Sequence, residues 1–313
     1  MPKVSVIICT YNRCESLKDT LTALREQNLS SDLSLEIVVV DNNSKDRTKN
    51  VVELASQNSP WPIKYFFEPN QGKSYALNRG ILEAKGDLLA FTDDDAVPEV
   101  HWVENICKAF SNFGADCVGG KILPLWSRRP PFWLVSDPLR KHFGGILALL
   151  DHGDEVLEGK MHEDSFLYGA NIAIRKSVFS EIGLFRTDLG PSGSNPFRGE
   201  DTEMLIRILA AGKKVVYAPD IVVYHKIGSE RMKMAYVRRR RFYGSRSDFQ
   251  RLPSDKQRIA RWFLRECVEN GLKALFSYLV GKKESAIRYE LLFWAQCGHI
   301  VESLRRSKRC VDL

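Results

Sequence analysis

Two kinds of segment alternate over the first hundred residues. Short continuous apolar runs predict buried strands at residues 4–9, 35–40, 63–67 and 88–92. Apolar residues three or four positions apart predict helices at residues 15–27, 46–56 and 72–84. Strands and helices in this order predict an α/β fold, with a mainly parallel central sheet and helices on both faces.

The second hundred residues carry the same kinds of element in a less regular order. Helical spacing predicts helices at residues 102–113, 176–182 and 202–211. Apolar runs predict strands at residues 118–123, 171–174, 215–218 and 221–224. Residues 124–165 have no clear period, which is typical of a lid or a binding loop.

From residue 226 onward the pattern predicts helices alone. Apolar residues at helical spacing form one stripe, and arginines at positions 258, 261 and 265 lie on a neighbouring face. We therefore expect a helical extension after the α/β domain. The stripe contains Ile259, Trp262, Phe263, Val268, Leu272, Leu275, Phe276 and Leu279.

Charge divides the chain at the same place. Residues 226–313 contain 21 Lys and Arg against 9 Asp and Glu, a balance of +12, whereas residues 1–225 contain 25 against 30, a balance of −5. A basic segment favours an anionic lipid surface, nucleic acid or a phosphorylated partner, or it is simply a solvated surface.

The densest basic stretch, residues 231–246, has four consecutive arginines at 238–241 next to Phe242 and Tyr243. Basic residues beside aromatic ones favour peripheral association with an anionic membrane. The alternative is that the extension packs on the α/β domain or forms a dimer contact, because its apolar stripe fits that equally well.

Three features indicate the compartment. The seven cysteines show neither zinc spacing nor a disulfide framework, which favours a reduced cytoplasmic setting. The N-terminus enters the first strand pattern directly, so we expect no signal peptide. No apolar run reaches 18 residues, so we expect no transmembrane helix and place the protein in the cytoplasm or at the inner face of the membrane.

Polar residues follow three of the predicted strands, at residues 10–13, 41–43 and 93–95. The carboxyl ends of parallel strands meet at one edge of a sheet, where ligands bind. Adjacent Asp93, Asp94 and Asp95 repel one another unless a cation is present, and hard oxygen ligands suit Mg²⁺ or Mn²⁺. In an extended segment Asp93 and Asp95 would point the same way. A solvated turn is the alternative.

Further candidates each have a structural alternative. Asp41 can accept a hydrogen bond from a base or a ribose, or can form a turn. Arg13 and Lys73 can contact phosphate oxygens, or can be plain surface charges. Glu200 and Asp201 precede a helix, where a carboxylate can be a general base or an N-terminal cap. His225 can complete a metal's ligands, or can be a polar surface residue.

The order of these motifs is more specific than any one of them. The series, in single letters, is TYNR, DNNS, NQGKSYALNRG, TDDD, GAN, GED and VYH, from residue 10 to residue 225. It resembles glycosyltransferase family 2, whose members have the nucleotide-diphospho-sugar transferase (GT-A) fold. The resemblance covers about 70% of the chain, within residues 4–225.

The resemblance implies a GT-A domain over residues 1–225 and a basic amphipathic extension over 226–313. Residues 1–98 would bind the nucleotide, and residues 99–225 the acceptor. Asp201 would be the catalytic base, with Glu200 beside it. Asp93, Asp95 and His225 would hold the metal, with Asp93 and Asp95 as the DXD pair. The nucleotide and donor would contact Thr10, Tyr11, Arg13, Asp41, Lys73, Asn78, Arg79, Asp93, Asp94, Gly169, Ala170 and Asn171.

The implied reaction is transfer of one sugar from a nucleotide-diphosphate donor, with inversion, assisted by Mn²⁺ or Mg²⁺. We expect a UDP-sugar donor, a glycan or lipid-linked acceptor, and a part in cell-surface polysaccharide or glycolipid synthesis. The QxxRW motif of processive synthases is absent.

Three rival functions fit less well. A nucleotidyltransferase usually has a glycine-rich loop after the first strand, and residues 10–15 contain no glycine. A catalytically inactive nucleotide-sugar-binding protein would not need Asp93, Asp95, Asp201 and His225 together. A nucleic-acid-binding protein is not expected, because no zinc, KH or RRM motif is present.

Overall fold

The computed structural model describes residues 3–57, 59–160, 166–193, 197–251 and 261–309. The chain forms two compact units. The first unit comprises Met1–Leu125, Ala148–Asn195 and Glu200–Lys226. The second unit comprises Trp126–Leu147, Pro196–Gly199 and Ile227–Leu313.

Within the described residues, the strands join in one nine-stranded sheet. They are β1 (Lys3–Thr10), β2 (Ser34–Asp41), β3 (Ile63–Phe67), β4 (Leu88–Asp93), β5 (Ala96–Pro98), β6 (Cys117–Trp126), β7 (Leu157–Glu158), β8 (Asn171–Arg175) and β9 (Val215–Ile227). Their order is β3-β2-β1-β4-β8-β6-β9-β5, and β7 pairs with β9.

Helices of the first unit surround this sheet. They are α1 (Cys14–Arg25), α2 (Thr48–Gln57), α3 (Lys73–Glu83), α4 (Trp102–Phe113), α7 (Lys176–Ile182) and α8 (Glu200–Ala210). The second unit contains α5 (Phe132–Val135), α6 (Asp137–Leu147), a 3-10 helix (Ser229–Met232), α9 (Met234–Arg251), α10 (Arg261–Leu279) and α11 (Lys283–Arg309).

The parallel half of the sheet consists of β3, β2, β1 and β4. Its central strands are continuous apolar runs because both faces are covered, and Val6, Ile7 and Ile8 of β1 are fully buried. The register sets Thr10 opposite Asp41 and Cys9 opposite Asp93, so the polar strand ends do meet at one edge. The predicted α/β fold class is confirmed.

The other half of the sheet is antiparallel, and the sequence predicted it only in part. β8 runs antiparallel to both β4 and β6, and β9 runs antiparallel to β5 and β7. The two strands expected at 215–218 and 221–224 are one strand, β9. Pro219 separates the two apolar runs, but a strand can pass through a proline where no ladder hydrogen bond is needed from that nitrogen.

The prediction of an irregular segment at 124–165 was wrong over most of the described part. It contains the end of β6, helices α5 and α6, and β7, while residues 161–165 lie outside the described residues. Buried Leu139, Phe143, Ile146 and Leu147 of α6 are spaced as an amphipathic helix requires. The helical period is therefore present in the sequence, but Pro138 and two glycines obscure it.

The described residues of the extension, 227–251 and 261–309, are mainly helical, as predicted; Arg258 and Ile259 lie outside the described residues. Helix α11 packs against both α9 and α10. Arg246 of α9 is buried and pairs with Glu302 of α11 at 2.7 Å. Among the described residues, none of the helices combines the length and the hydropathy needed to span a bilayer.

Candidate active site

Three aspartates lie at the carboxyl end of β4, in the middle of the sheet. Asp93 is the last residue of the strand, and Asp94 and Asp95 form a turn before β5. The side chains of Asp94 and Asp95 are almost fully buried, with 5% and 6% of each residue exposed. This burial excludes the solvated turn that was the alternative. Buried carboxylates also require compensating partners.

Asp94 has two such partners. Thr10 donates from Oγ1 to Asp94 Oδ2 at 2.8 Å, and Arg13 donates from Nη1 to Asp94 Oδ1 at 3.1 Å. Burial raises the pKa of Asp94 to about 6, against the lowering effect of Arg13 and with a further raising effect from Asp95. Thr10 ends β1 and Arg13 follows three residues later, so the polar motif at the end of that strand contacts the aspartates.

Asp95 joins Arg13 to His225. Arg13 donates from Nη1 to Asp95 Oδ2 at 2.9 Å, and His225 Nε2 lies 3.1 Å from Asp95 Oδ1. The antiparallel pairing of Ala96 with His225 places that histidine beside the turn. His225 is buried, so it is not the polar surface residue that was the alternative.

The expectation that Asp93 and Asp95 point the same way rested on an extended backbone. The backbone turns at Asp94, so Asp94 and Asp95 instead share Arg13, while Asp93 contacts Lys73.

Lys73 connects the aspartates with the start of α8. Its Nζ donates to Asp93 Oδ1 at 2.7 Å and lies 3.6 Å from Glu200 Oε1. Burial alone would lower the pKa of Lys73, but Asp93, Glu200 and Asp201 raise it above its ordinary value. Burial would raise the pKa of Asp93, and Lys73 lowers it. Lys73 is thus a charged part of the site and not a plain surface lysine.

Asp201 lies in the first turn of α8, and two backbone N–H groups bind its carboxylate. The Gly169 N–H donates to Asp201 Oδ2 at 3.0 Å, and the Thr202 N–H donates to Oδ1 at 2.8 Å. Asp201 lines a small pocket together with Lys73, Asp93, Gly169 and Glu200. These residues come from segments far apart in the sequence.

The nucleoside-binding candidates lie at the neighbouring strand end. Asp41 is buried and accepts hydrogen bonds from the Ser44 N–H at 2.9 Å and the Tyr65 hydroxyl at 2.8 Å. It therefore has the turn-forming role that was its alternative, with lone pairs left for a ligand. Tyr11 is exposed at the same edge.

Asn78 and Arg79 have partners other than the aspartates at the ends of β2 and β4. The Asn78 side chain donates to the Phe185 carbonyl and accepts from the Phe185 N–H, at 2.8 and 2.9 Å. Arg79 pairs with Glu83 on the same helix at 2.8 Å. The Asn78 contacts tie α3 to the segment before α8, and the Arg79 pair stays within α3.

The residues of the Gly169–Asn171 motif have different surroundings. Gly169 contacts Asp201, and the Ala170 carbonyl accepts from the Thr92 hydroxyl at 3.0 Å. The Asn171 side chain is fully buried, and its Oδ1 accepts from Trp102 Nε1 at 2.8 Å. Asn171 thus faces the core between strands and not the pocket.

Sequence reasoning missed two residues near the site. Cys9 lines the pocket beside Asp93, and burial raises the pKa of its thiol. Buried Asn42 accepts from the Gly72 N–H at 2.7 Å and donates to the Asn70 carbonyl at 2.6 Å, which fixes the loop before Lys73. The sequence offered one signal for Asn42, its position in the turn after β2. Asparagine is also common in turns without any functional role, so this signal alone could not identify it.

Asp95 and His225 could supply part of a metal site. No group of three His, Cys, Asp or Glu residues in the described part of the chain is arranged to hold an ion by itself. Asp95 and His225 nevertheless supply an oxygen and a nitrogen 3.1 Å apart at the edge of the sheet. A divalent ion held by one or two side chains and by diphosphate oxygens would fit this donor set.

Comparison with known proteins agrees with the fold and the motifs. The profile of "Glycosyl transferase family 2" matches residues 5–183, more than half of the chain. A glucosyl-dolichyl phosphate glucuronosyltransferase of Haloferax volcanii is 29% identical over 252 residues, which cover 77% of this chain and 74% of that protein. The succinoglycan biosynthesis protein ExoM of Rhizobium meliloti is 28% identical over 240 residues, with 76% and 72% covered.

A solved structure shows the same fold. The mannosyltransferase PcManGT of Pyrobaculum calidifontis, in complex with GDP-Man and Mn²⁺, aligns with a TM-score of 0.59 at 20% identity, covering 98% of this chain and 75% of that one. The matched profile spans the aspartates after β4 and Gly169, while Asp201 and His225 lie beyond it. The sheet order, the carboxylates at its edge and the matched profile together show that this chain belongs to glycosyl transferase family 2.

Proposed function

We propose that this chain transfers a single sugar from a nucleoside-diphosphate donor to an acceptor hydroxyl, with inversion at the anomeric carbon. The observation that carries the proposal is the pocket in which Asp201, Asp93 and Lys73 meet. It combines a carboxylate able to accept a proton with charges able to hold a diphosphate.

Asp201 is the proposed general base. Both of its oxygens are fixed by backbone N–H groups, and each oxygen keeps a lone pair for a hydroxyl proton. As the acceptor oxygen forms a bond to the anomeric carbon, its proton passes to Asp201 and the carbon–oxygen bond to the diphosphate breaks. Attack opposite the leaving group inverts the configuration.

Lys73 and Arg13 are the proposed diphosphate contacts. They neutralise Asp93, Asp94 and Asp95. A diphosphate at this edge would draw the two cations toward its oxygens, since charge-assisted hydrogen bonds to phosphate are strong. The carboxylates they now neutralise would then accept hydrogen bonds from the ribose.

Asp95 and His225 are the residues that would hold Mn²⁺ or Mg²⁺, with Asp93 as a further oxygen donor nearby. When bound, the ion would offset the negative charge that develops on the departing diphosphate. The donor set supports this assignment, and so does the presence of Mn²⁺ in the complex of the similar mannosyltransferase.

The nucleoside is proposed to lie against Thr10, Tyr11 and Asp41, and uracil is the proposed base. The similar mannosyltransferase holds GDP-Man, so guanine is the competing base. The proposed acceptor is a lipid-linked sugar or a growing polysaccharide, since the two relatives are named for a dolichyl phosphate substrate and for succinoglycan. A lipid-linked acceptor would require the protein to work at a membrane surface.

The first test is a thermal-shift panel of UDP, GDP and TDP, each with and without Mn²⁺. A ligand that binds the native state raises the melting temperature by mass action. A Mn²⁺-dependent shift with UDP above all others is expected. A folded protein that responds to none of the three would contradict the donor site.

A variant of Asp201 tests its proposed role as the general base. Asp201→Asn should lower kcat for sugar transfer by about 10²-fold or more, the usual contribution of a positioned general base, with an unchanged shift by UDP. Asp220→Asn, at an exposed aspartate of β9, is the matched control and should keep full activity. Binding of UDP without transfer by the unaltered chain would instead support a nucleotide-sugar-binding protein.

A further inference from the structure

Helix α10 places its polar side inward and its apolar side outward. The side that packs in the helical unit carries the small or polar residues Cys267, Asn270, Ala274 and Ser277, all buried. The opposite side carries a stripe of large apolar residues at spacings of one, three or four. They are Leu264, Val268, Leu272, Leu275, Phe276 and Leu279, with exposed fractions from 44% to 77%.

Specific contacts fix this orientation. Asn270 donates to Gln296 Oε1 of α11 at 3.0 Å, and both side chains are buried. Cys267 and Cys297 bring their sulfurs to 3.9 Å. Rotating α10 to bury its leucines would break the Asn270–Gln296 pair and expose small residues that now fit closely, so buried polar pairing sets which side faces out.

The apolar outer face of α10 is long enough for the helix to lie along a membrane surface. Leu264 and Leu279 are about 22 Å apart along the axis at about 1.5 Å per residue. Trp262 at one end is exposed, and a tryptophan side chain favours the boundary between headgroups and acyl chains. A row of apolar side chains this wide rarely stays in water without a partner.

Charge favours an anionic bilayer as that partner. The extension has 21 Lys and Arg against 9 Asp and Glu. Exposed Lys282 and Lys283 follow the end of the stripe, whereas Arg265 within its span pairs with Glu269 at 2.7 Å. A second copy of the chain would bring two strongly basic extensions together, and six side chains are few beside the roughly 20–30 residues a side of a stable interface.

We propose that the outer face of α10 is a docking surface for an anionic lipid bilayer, with the helix lying parallel to the membrane plane. This surface differs from the basic stretch at residues 231–246, which the sequence suggested for membrane association. Arg238 pairs with Glu290, and Arg246 is buried against Glu302, so both are committed inside the helical unit. The proposal goes beyond sugar transfer, because lipid binding needs no catalysis.

The test is flotation of the full chain with vesicles of phosphatidylcholine, alone or mixed with phosphatidylglycerol. The unaltered chain should float with the mixed vesicles. The double variant L272E/L275E should lose about tenfold or more of this binding, since two apolar contacts become charged on the lipid side. Both positions are exposed, so folding should be preserved, and circular dichroism would verify it.

The matched control is L54E/L82E, which adds the same two charges at equally exposed leucines of α2 and α3 and should float normally. Absence of flotation by a folded, unaltered chain would overturn the proposal. So would equal flotation of L272E/L275E, or a dimer that L272E/L275E converts to monomers while vesicle binding stays the same. Asp201→Asn should float like the unaltered chain, so a failed transfer reaction would not be mistaken for failed docking.

Discussion

At the scale of single residues, Glu36 of β2 is a structural anchor outside the site. It is buried and accepts from the Ser5 hydroxyl, the Lys85 N–H and Lys64 Nζ, each at 2.6 Å. These contacts join β1, β2, β3 and the segment before β4. Burial would raise the pKa of Glu36, but Lys64, Ser5 and Lys85 lower it to about 2.

A carboxyl whose pKa is lowered on folding stabilises the protein above its unfolded pKa of about 4.5, and that stability is lost as the pH falls toward 2. At pH 7, Glu36→Gln should lower the free energy of unfolding by about 1–3 kcal/mol, because charge-assisted hydrogen bonds are lost. The difference from the unaltered chain should shrink between pH 4.5 and pH 2.

Urea unfolding at several pH values would measure this difference. Glu53→Gln is the control, since the exposed Lys49–Glu53 pair should contribute less than about 1 kcal/mol at any pH. A Glu36→Gln effect that is the same at pH 7 and pH 3 would contradict the pKa argument.

At the scale of strands and helices, Asn171 connects four elements. Its Nδ2 donates to the Lys121 and Ile221 carbonyls of β6 and β9, both at 2.9 Å, and its Oδ1 accepts from Trp102 of α4. Asn171 itself begins β8. The motif that resembles a donor-contacting segment therefore contains a residue that holds three strands and a helix together.

Asn171→Ala should lower the free energy of unfolding by about 3 kcal/mol or more, because the buried Trp102 N–H and two strand carbonyls each lose their hydrogen bond to this side chain. Chemical denaturation would measure the loss. Asn105→Ala removes one hydrogen bond, to the Asp220 carbonyl, and should cost about 1 kcal/mol. Unchanged stability with weaker donor binding would restore the interpretation of Asn171 as a donor contact.

The sequence predicted best where one physical rule determined the element. The strands β1, β2 and β4 are buried on both faces, so apart from Ser5 and Glu36 their interiors are nearly continuous apolar runs that need no tertiary information. The pattern divides β9 in two because Pro219 is a local breaker, whereas pairing with β5 and β7 carries the strand through. The short β5 has no pattern of its own and exists because Ala96 pairs with His225.

The site was predictable as a set of residue types but not as a set of contacts. Strand ends of a parallel sheet had to meet, which brought Thr10, Asp41 and Asp93 to one edge. That Arg13 would pair with Asp94 as well as Asp95 depends on the turn after β4. The sequence also could not predict which side of α10 is buried. An apolar stripe normally marks the buried side, whereas in α10 it is exposed.

At the scale of the whole molecule, an acidic portion and a basic portion share one chain. Residues 1–225 carry a balance of −5 and residues 226–313 a balance of +12. Attraction between exposed cations and anionic lipids is screened over about 8 Å at physiological salt, whereas burial of apolar side chains is not screened. The two contributions to docking through α10 should therefore respond differently to salt.

Raising NaCl should reduce flotation with vesicles containing phosphatidylglycerol, down to the level seen with phosphatidylcholine alone but not to zero. Each cation near the surface contributes about 1 kcal/mol at low salt. A titration of flotation against NaCl would measure this, with L272E/L275E as the comparison that lacks the apolar part. Flotation that is indifferent to salt would show that the basic residues take no part.

The outward leucines of α10 also affect how the protein would behave when cells are broken. In a dilute, low-salt lysate the chain should sediment with the membranes, and a wash in concentrated salt should release part of it. A mild detergent micelle would cover the same six side chains and release the remainder. Fractionation in a single buffer would therefore assign this one protein to the supernatant or to the pellet according to the buffer chosen.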